Sequence, residues 1–190
     1  MVADSAVATP ALTPADRLLQ RWRIRKALPW IPPGARVLDV GCADGALVRT
    51  GGSRIESAVG IDPAATNGTD GNFESRTGTF PDAVRSDETF DAIVMLAVVE
   101  HVPAEELATW AAACAQLLRP DGRLVVTVPS PTVDHLLHWG MRLHVLAGMD
   151  AHHHHGFIPD DVPRIFGSEL NLLHRSRFQL GLNNLFVFRR

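Results

Sequence analysis

The sequence predicts a three-layer α/β domain built on a mostly parallel sheet, and three observations carry that expectation. The first is the stretch 36–47: the apolar run Val37, Leu38 and Val40 stops at Gly41, and Asp44-Gly45 then opens a segment able to turn helical. A buried parallel strand delivers its end to a ligand in this order: strand, glycine turn, helix N-terminus. The second is 57–61, Ser-Ala-Val-Gly-Ile, a second short buried run with an acid, Asp62, just past its end. The third is the alternation further along: a near-continuous apolar run over Phe90–Leu96, a helical stretch over Ala104–Leu118, and another apolar run over Arg123–Val128.

Residues 1–12 are small and polar and are expected to be disordered, leaving 13–190 as one domain. Thr13-Pro14-Ala15-Asp16 reads as a helix start, a capping threonine followed by proline at the first helical position. That helix should run to about Leu28, with Leu18, Leu19 and Trp22 toward the domain, and Pro29, Pro32 and Pro33 end it. After the first strand, Ala46–Thr50 gives a short helix before Gly51-Gly52. Residues 63–72 are loop-like, and Glu74–Phe80 is the third strand, followed by Pro81-Asp82.

Phe90–Leu96 is a central strand. In the helix over Ala104–Leu118, the residues Leu107, Trp110, Ala111, Cys114, Leu117 and Leu118 share one face. Pro120-Asp121-Gly122 is a turn into the fifth strand, Arg123–Val128. Thr132–Met149 is apolar and bears histidines, a helix inserted above the sheet, so that 131–158 is expected to be a substrate-side insertion or lid. Pro159–Phe166 is a short helix, and Leu170–Phe178 and Leu185–Arg189 form a terminal hairpin.

With 190 residues, 46% hydrophobic and 21% charged, the chain can bury a single core. A net charge of −3 argues against a dedicated nucleic-acid binder. No apolar run approaches a membrane span, and Met1–Pro10 lacks the pattern of a secretory signal. Two cysteines, Cys42 and Cys114, make no disulfide framework. The expectation is therefore cytoplasmic, with no nucleic-acid or membrane partner; the oligomeric state is left open.

The chemistry concentrates at the glycine turn. Gly41 and Gly45 let the backbone approach a ligand where a Cβ would intrude. An acid about 20 positions past such a turn takes ribose hydroxyls in nucleotide-binding α/β folds, and Asp62 stands there. Asp39 inside the strand and Asp44 in the turn would repel a pyrophosphate but suit a cation, which favours S-adenosylmethionine over NAD.

At this point the chain resembles the class I S-adenosylmethionine-dependent methyltransferases, small-molecule type. Val-Leu-Asp-Val-Gly-Cys-Ala-Asp-Gly (37–45) is similar to their first motif and Gly-Ile-Asp-Pro (60–63) to their second. The run 90–94 with Glu100-His101-Val102-Pro103 resembles their fourth-strand region, and 119–128 their fifth. The resemblance implies a Rossmann-like sandwich with a mostly parallel seven-stranded sheet, the last strand antiparallel. It implies cofactor contacts from Asp39, Gly41, Cys42, Ala43, Asp44, Gly45, Asp62, Pro63, Thr79, Phe80 and Leu96. Two departures stand out: Ala43 replaces a glycine common in this loop, and no acid follows the third strand to hold the adenine amino group, where Thr79, Phe80 or Asp82 would have to serve.

His101, past the fourth strand, is the candidate general base, with an ordinary pKa suited to proton abstraction; the alternative is that it orients the loop before Pro103. The run His152–His155 cannot converge on one ion, and His135 and His138 with Asp134 form no established ligand set, so no metal is expected. The cluster Trp139, Met141, Leu143, Val145 and Leu146 is expected to be core packing, with a pocket wall as the alternative, and a histidine of 152–155 would line an acceptor site if the resemblance extends that far. The implied reaction is methylation of an oxygen, nitrogen or carbon on a small acceptor. The rivals are a catalytically inactive binding or regulatory relative and an NAD-dependent oxidoreductase.

Overall fold

The computed structural model describes residues 14–130 and 158–190. The expected disordered start, the Thr13 cap, the helix over 132–149 and the histidine run 152–155 lie outside the described residues.

Strands β1 (Ala35–Val40), β2 (Ile55–Asp62), β3 (Gly68–Asp70), β4 (Phe73–Thr77), β5 (Phe90–Leu96), β6 (Leu118–Pro129), β7 (Asn171–Phe178) and β8 (Asn183–Arg189) form one sheet in the order β3-β4-β2-β1-β5-β6-β8-β7. The central five, β4, β2, β1, β5 and β6, pair in parallel; β8 runs antiparallel to β6, and β7 to β8. Helices α1 (Pro14–Ala27) and α2 (Ala46–Gly51) cover one face, and α3 (Leu107–Leu117) and α4 (Val162–Phe166) the other.

Strand side chains alternate between faces, so a strand covered on both sides must be apolar throughout. Leu38, Ile93, Met95, Leu124, Val126, Phe186 and Phe188 join the core under α3 and α4, while Val37, Ala92, Val94, Val125 and Val187 join the core under α1. The continuous runs that predict central strands are therefore two interleaved sets of core residues.

Four expectations are corrected. The sheet has eight strands rather than seven, because 68–70 pairs with β4 as a hairpin around Gly71, whose φ is +57°; β3 is wholly exposed and carries no apolar alternation. The third strand of the sequence reading ends at Thr77, not Phe80, since Gly78 (φ +149°) turns the chain away. Pro120-Asp121-Gly122 lies inside β6 as an irregularity, with Asp121 at φ +62° where pairing with β5 shifts register. On α1 the buried positions are Ile24 and Ala27, whereas Leu18 is 65% and Trp22 41% exposed. The helix meets the core through its last two turns; Leu19 is half-buried, as expected, while Leu18 and Trp22 are the apolar residues it leaves exposed.

Of the face expected on α3, Leu107, Trp110, Ala111, Cys114 and Leu117 are buried on the helix, whereas Leu118 is extended and opens β6. Both cysteines are free and buried. Among the described residues no helix is long and apolar enough to cross a membrane.

Candidate functional site

The carboxyl ends of β1, β2, β4 and β5 open onto one cavity of about 800 Å³. Gly41 takes φ +74°, and a Cβ there would stand 2.5 Å from Val98 Cγ2, so both conformation and space demand glycine. Gly45 takes φ +72° and would drive a Cβ to 2.9 Å from the Phe73 ring. Between them Ala43 holds φ +44°, a left-handed residue with a side chain. Gly41 N–H donates to the Ile61 carbonyl (2.8 Å), which ties the turn to the end of β2.

Asp62 bridges two loops. One carboxylate oxygen accepts from Ala43 N–H at 3.1 Å and the other from Ala64 N–H at 2.8 Å. A carboxylate oxygen has two acceptor directions, so each keeps one for a ligand hydroxyl, and Asp62 lines the cavity. Asp44 turns elsewhere: Arg49 Nη2 donates to its carboxylate at 2.7 Å and Gln20 Nε2 at 3.4 Å, and it does not line the cavity. Its part is to order the loop and clip it to α1 and α2.

Asp39 is buried within β1. Burial, with Asp62 and then Asp44 adding repulsion, pushes its carboxyl up to about 8. Among the described residues no cationic side chain offsets it. Cys42 points inward, its Sγ close to Gly60, and burial followed by Asp39 pushes its thiol up to about 12, which makes it an inert packing residue.

Of the residues expected at the site, Gly41, Asp62, Pro63, Thr79, Phe80, Leu96 and His101 line the cavity. Asp39, Cys42, Ala43, Asp44 and Gly45 do not line it. The sequence reading missed the far wall, where Trp110 stands edge-on to Phe80 at 5.0 Å between ring centroids, with Glu105, Glu106 and Thr109 nearby. Helical periodicity places Trp110 in the core, which is correct, and cannot reveal that the same indole borders open space. Past the loop carrying Thr79 and Phe80, Glu88 takes Arg76 of β4 at 2.6 Å and Arg36 of β1 at 2.7 Å, and Arg76 donates to the Ala83 carbonyl at 3.3 Å.

His101 is exposed, in a 3-10 turn after β5. Its neighbour Glu100 is buried and faces away from the cavity. Burial pushes its carboxyl up to about 7, its own backbone N–H and Arg23 of α1 pulling back, and among the described residues its Oε2 has no hydrogen-bond partner. Among the described residues no cluster of histidine, cysteine and carboxylates has metal-site geometry.

Among the described residues, the lining carries four carboxylates (Asp62, Asp82, Glu105 and Glu106) and neither lysine nor arginine. Such a cavity attracts a cationic ligand and repels a pyrophosphate.

A family model described as a methyltransferase domain matches residues 13–167. The chain is similar to the mitochondrial ubiquinone biosynthesis O-methyltransferase of Bos taurus, 38% identical over 112 residues that cover 52% of this chain and 30% of that protein. The ubiquinone biosynthesis O-methyltransferase of Mesorhizobium japonicum is 34% identical over 109 residues, 53% of this chain and 43% of the relative. The matches thus span less than half the length of these curated relatives. The fold is similar to that of the N-methyltransferase NodS from Bradyrhizobium japonicum WM9 in complex with S-adenosyl-L-homocysteine. The TM-score is 0.65 at 18% identity, covering 97% of this chain and 93% of that one.

Proposed function

The chain belongs to the methyltransferase domain family, and from that premise we propose that it binds S-adenosylmethionine in the cavity and methylates a small-molecule acceptor. The observation that carries the reading is the charge of the cavity: four lining carboxylates, the buried Asp39 beside them, and no lysine or arginine among the described residues of the wall. A ligand bearing a sulfonium and an ammonium gains from that field. The same field disfavours the pyrophosphate of NAD.

Asp62 would take the ribose hydroxyls with its two remaining acceptor directions. Gly41 would let the backbone approach the ligand, and Phe80 with Trp110 would supply an apolar wall for the purine. Asp39 would answer the positive charge. Bound S-adenosylmethionine supplies an activated methyl on a good leaving group, so the chain's residues mainly position the acceptor and exclude water. His101, which lines the cavity, would take a proton from an acceptor hydroxyl. The curated relatives are named O-methyltransferases, which favours oxygen as the methylated atom. A cytoplasmic site of action accompanies this reading, supported by two free, buried thiols.

Calorimetric titration with S-adenosylhomocysteine and, separately, NAD tests the proposal on the wild type and on Asp62→Ala. Micromolar binding of the homocysteine product, weakened at least about tenfold by the substitution, is expected, since the lost carboxylate served both ligand and loop. Binding of NAD alone by folded protein would overturn the cofactor assignment.

A further inference from the structure

A second recess, of about 610 Å³, lies between α1 and the β7–β8 edge of the sheet and shares no lining residue with the cavity above. One face of α1 borders it: Arg21, Trp22, Arg25 and Lys26, spaced at helical intervals. Trp30 and His174 complete the wall, their rings stacked at 4.6 Å and 29°. Ser176 Oγ holds His174 Nε2 at 2.9 Å, which fixes the imidazole in that stack.

The composition of this recess is unlike the rest of the molecule. The chain carries a net charge of −3, yet three cations border this recess without a carboxylate among the described residues of the lining. Arg21, Arg25 and Lys26 have no ion-pair partner among the described residues, whereas Arg36, Arg49, Arg76, Arg85, Arg119, Arg164 and Arg175 all do. Trp22, 41% exposed, is one of two indoles offered beside those cations. A helix at the surface that turns a tryptophan outward and leaves its cations unpaired gains nothing from folding by either choice.

We propose that this recess binds a small anion with a planar aromatic body, a ring carrying phosphate or carboxylate. The indoles would stack on the ring, as aromatic side chains do with planar ligands, and guanidinium and ammonium donors would take the anionic group in charge-assisted hydrogen bonds. The volume fits a drug-sized or nucleotide-sized molecule. Concavity favours such a ligand over a lipid surface, because membrane-docking helices present protruding side chains rather than a recess between helix and strand.

The test uses 1-naphthyl phosphate as probe, followed by tryptophan fluorescence with the first cavity saturated by S-adenosylhomocysteine. The full chain should bind the probe saturably, and uncharged 1-naphthol at least about tenfold more weakly. The double variant Arg25→Ala with Lys26→Ala should lose about tenfold or more in probe affinity while keeping its affinity for S-adenosylhomocysteine. Both side chains are exposed, so the variant is expected to fold, and its retained S-adenosylhomocysteine binding reports that it has. Equal affinity in wild type and variant, or no saturable binding, would overturn the proposal. So would co-sedimentation with phosphatidylglycerol vesicles that depends on Arg25 and Lys26 in a chain that ignores the probe, which would assign this face to a membrane.

Discussion

Asp39→Asn isolates the charge argument at its centre. The wild-type carboxyl is pushed up to about 8 by burial, helped by Asp62 and Asp44, so at neutral pH the folded free protein holds it mostly protonated while the unfolded chain ionises it near 4. A folded-state pKa raised in this way gives stability that is complete below about pH 4 and is lost as pH climbs toward 8. By pH 7 the loss from this group alone is on the order of 4 kcal/mol. Asparagine matches the shape and never ionises, so Asp39→Asn should resist urea better than the wild type at pH 7.5, and the gap should narrow as pH falls toward 5. Ligand binding should run the other way. A cation beside Asp39 favours its ionised form, so at pH 7 the wild type should release up to about 0.9 of a proton per S-adenosylmethionine bound. Calorimetry in phosphate and in Tris, whose ionisation heats differ, measures that release directly. Asp39→Asn should bind more weakly and release none. Identical proton release in both proteins, or parallel stability-versus-pH curves, would refute the reasoning.

Glu100→Gln tests a second buried acid. Its carboxyl is pushed up to about 7, so wild-type stability should fall between about pH 4.5 and 7 on its account, and the variant should lose that component of the pH dependence in urea melts. Ala43→Gly removes a side chain from φ +44°; relief of left-handed strain, less the entropy of the new glycine, should raise stability by up to about 1 kcal/mol, read by thermal unfolding. If His101 is the general base, His101→Gln should lower kcat by on the order of a hundredfold while S-adenosylhomocysteine binding stays unchanged; unaltered turnover would leave His101 a loop residue.

How much of the fold is legible depends on what each segment buries. β5 and the inner face of α3 read correctly because tertiary packing asks of them what their local pattern already states: Phe90–Leu96 is covered on both faces, and Leu107, Trp110 and Cys114 on one. β3 does not read, because Gly68, Thr69 and Asp70 bury nothing and their pairing is made by the backbone. The Asp70-Gly71 step was the one local signal for a hairpin there. Helix α1 fails differently. Its apolar residues lie at helical spacing, but Leu18 and Trp22 face solvent while Arg23 turns toward buried Glu100. Periodicity identifies a face and leaves open what the face meets.

The same distinction decides the site. Gly41 and Asp62 are legible because each does its work through the backbone: one by lacking a Cβ against Val98, the other by accepting the N–H groups of Ala43 and Ala64. Backbone demands fix residue type and spacing, and spacing is what a sequence displays. Asp44 shows the limit. From the sequence it is a second acid beside Asp39, equally suited to a cationic ligand, yet Arg49 five residues on already holds it. The partner of a charge depends on where side chains turn, and spacing does not display that. Two acids five residues apart, alike in the sequence, therefore receive different things from the fold: Asp44 an arginine at 2.7 Å, Asp39 burial within β1 and no cationic partner among the described residues.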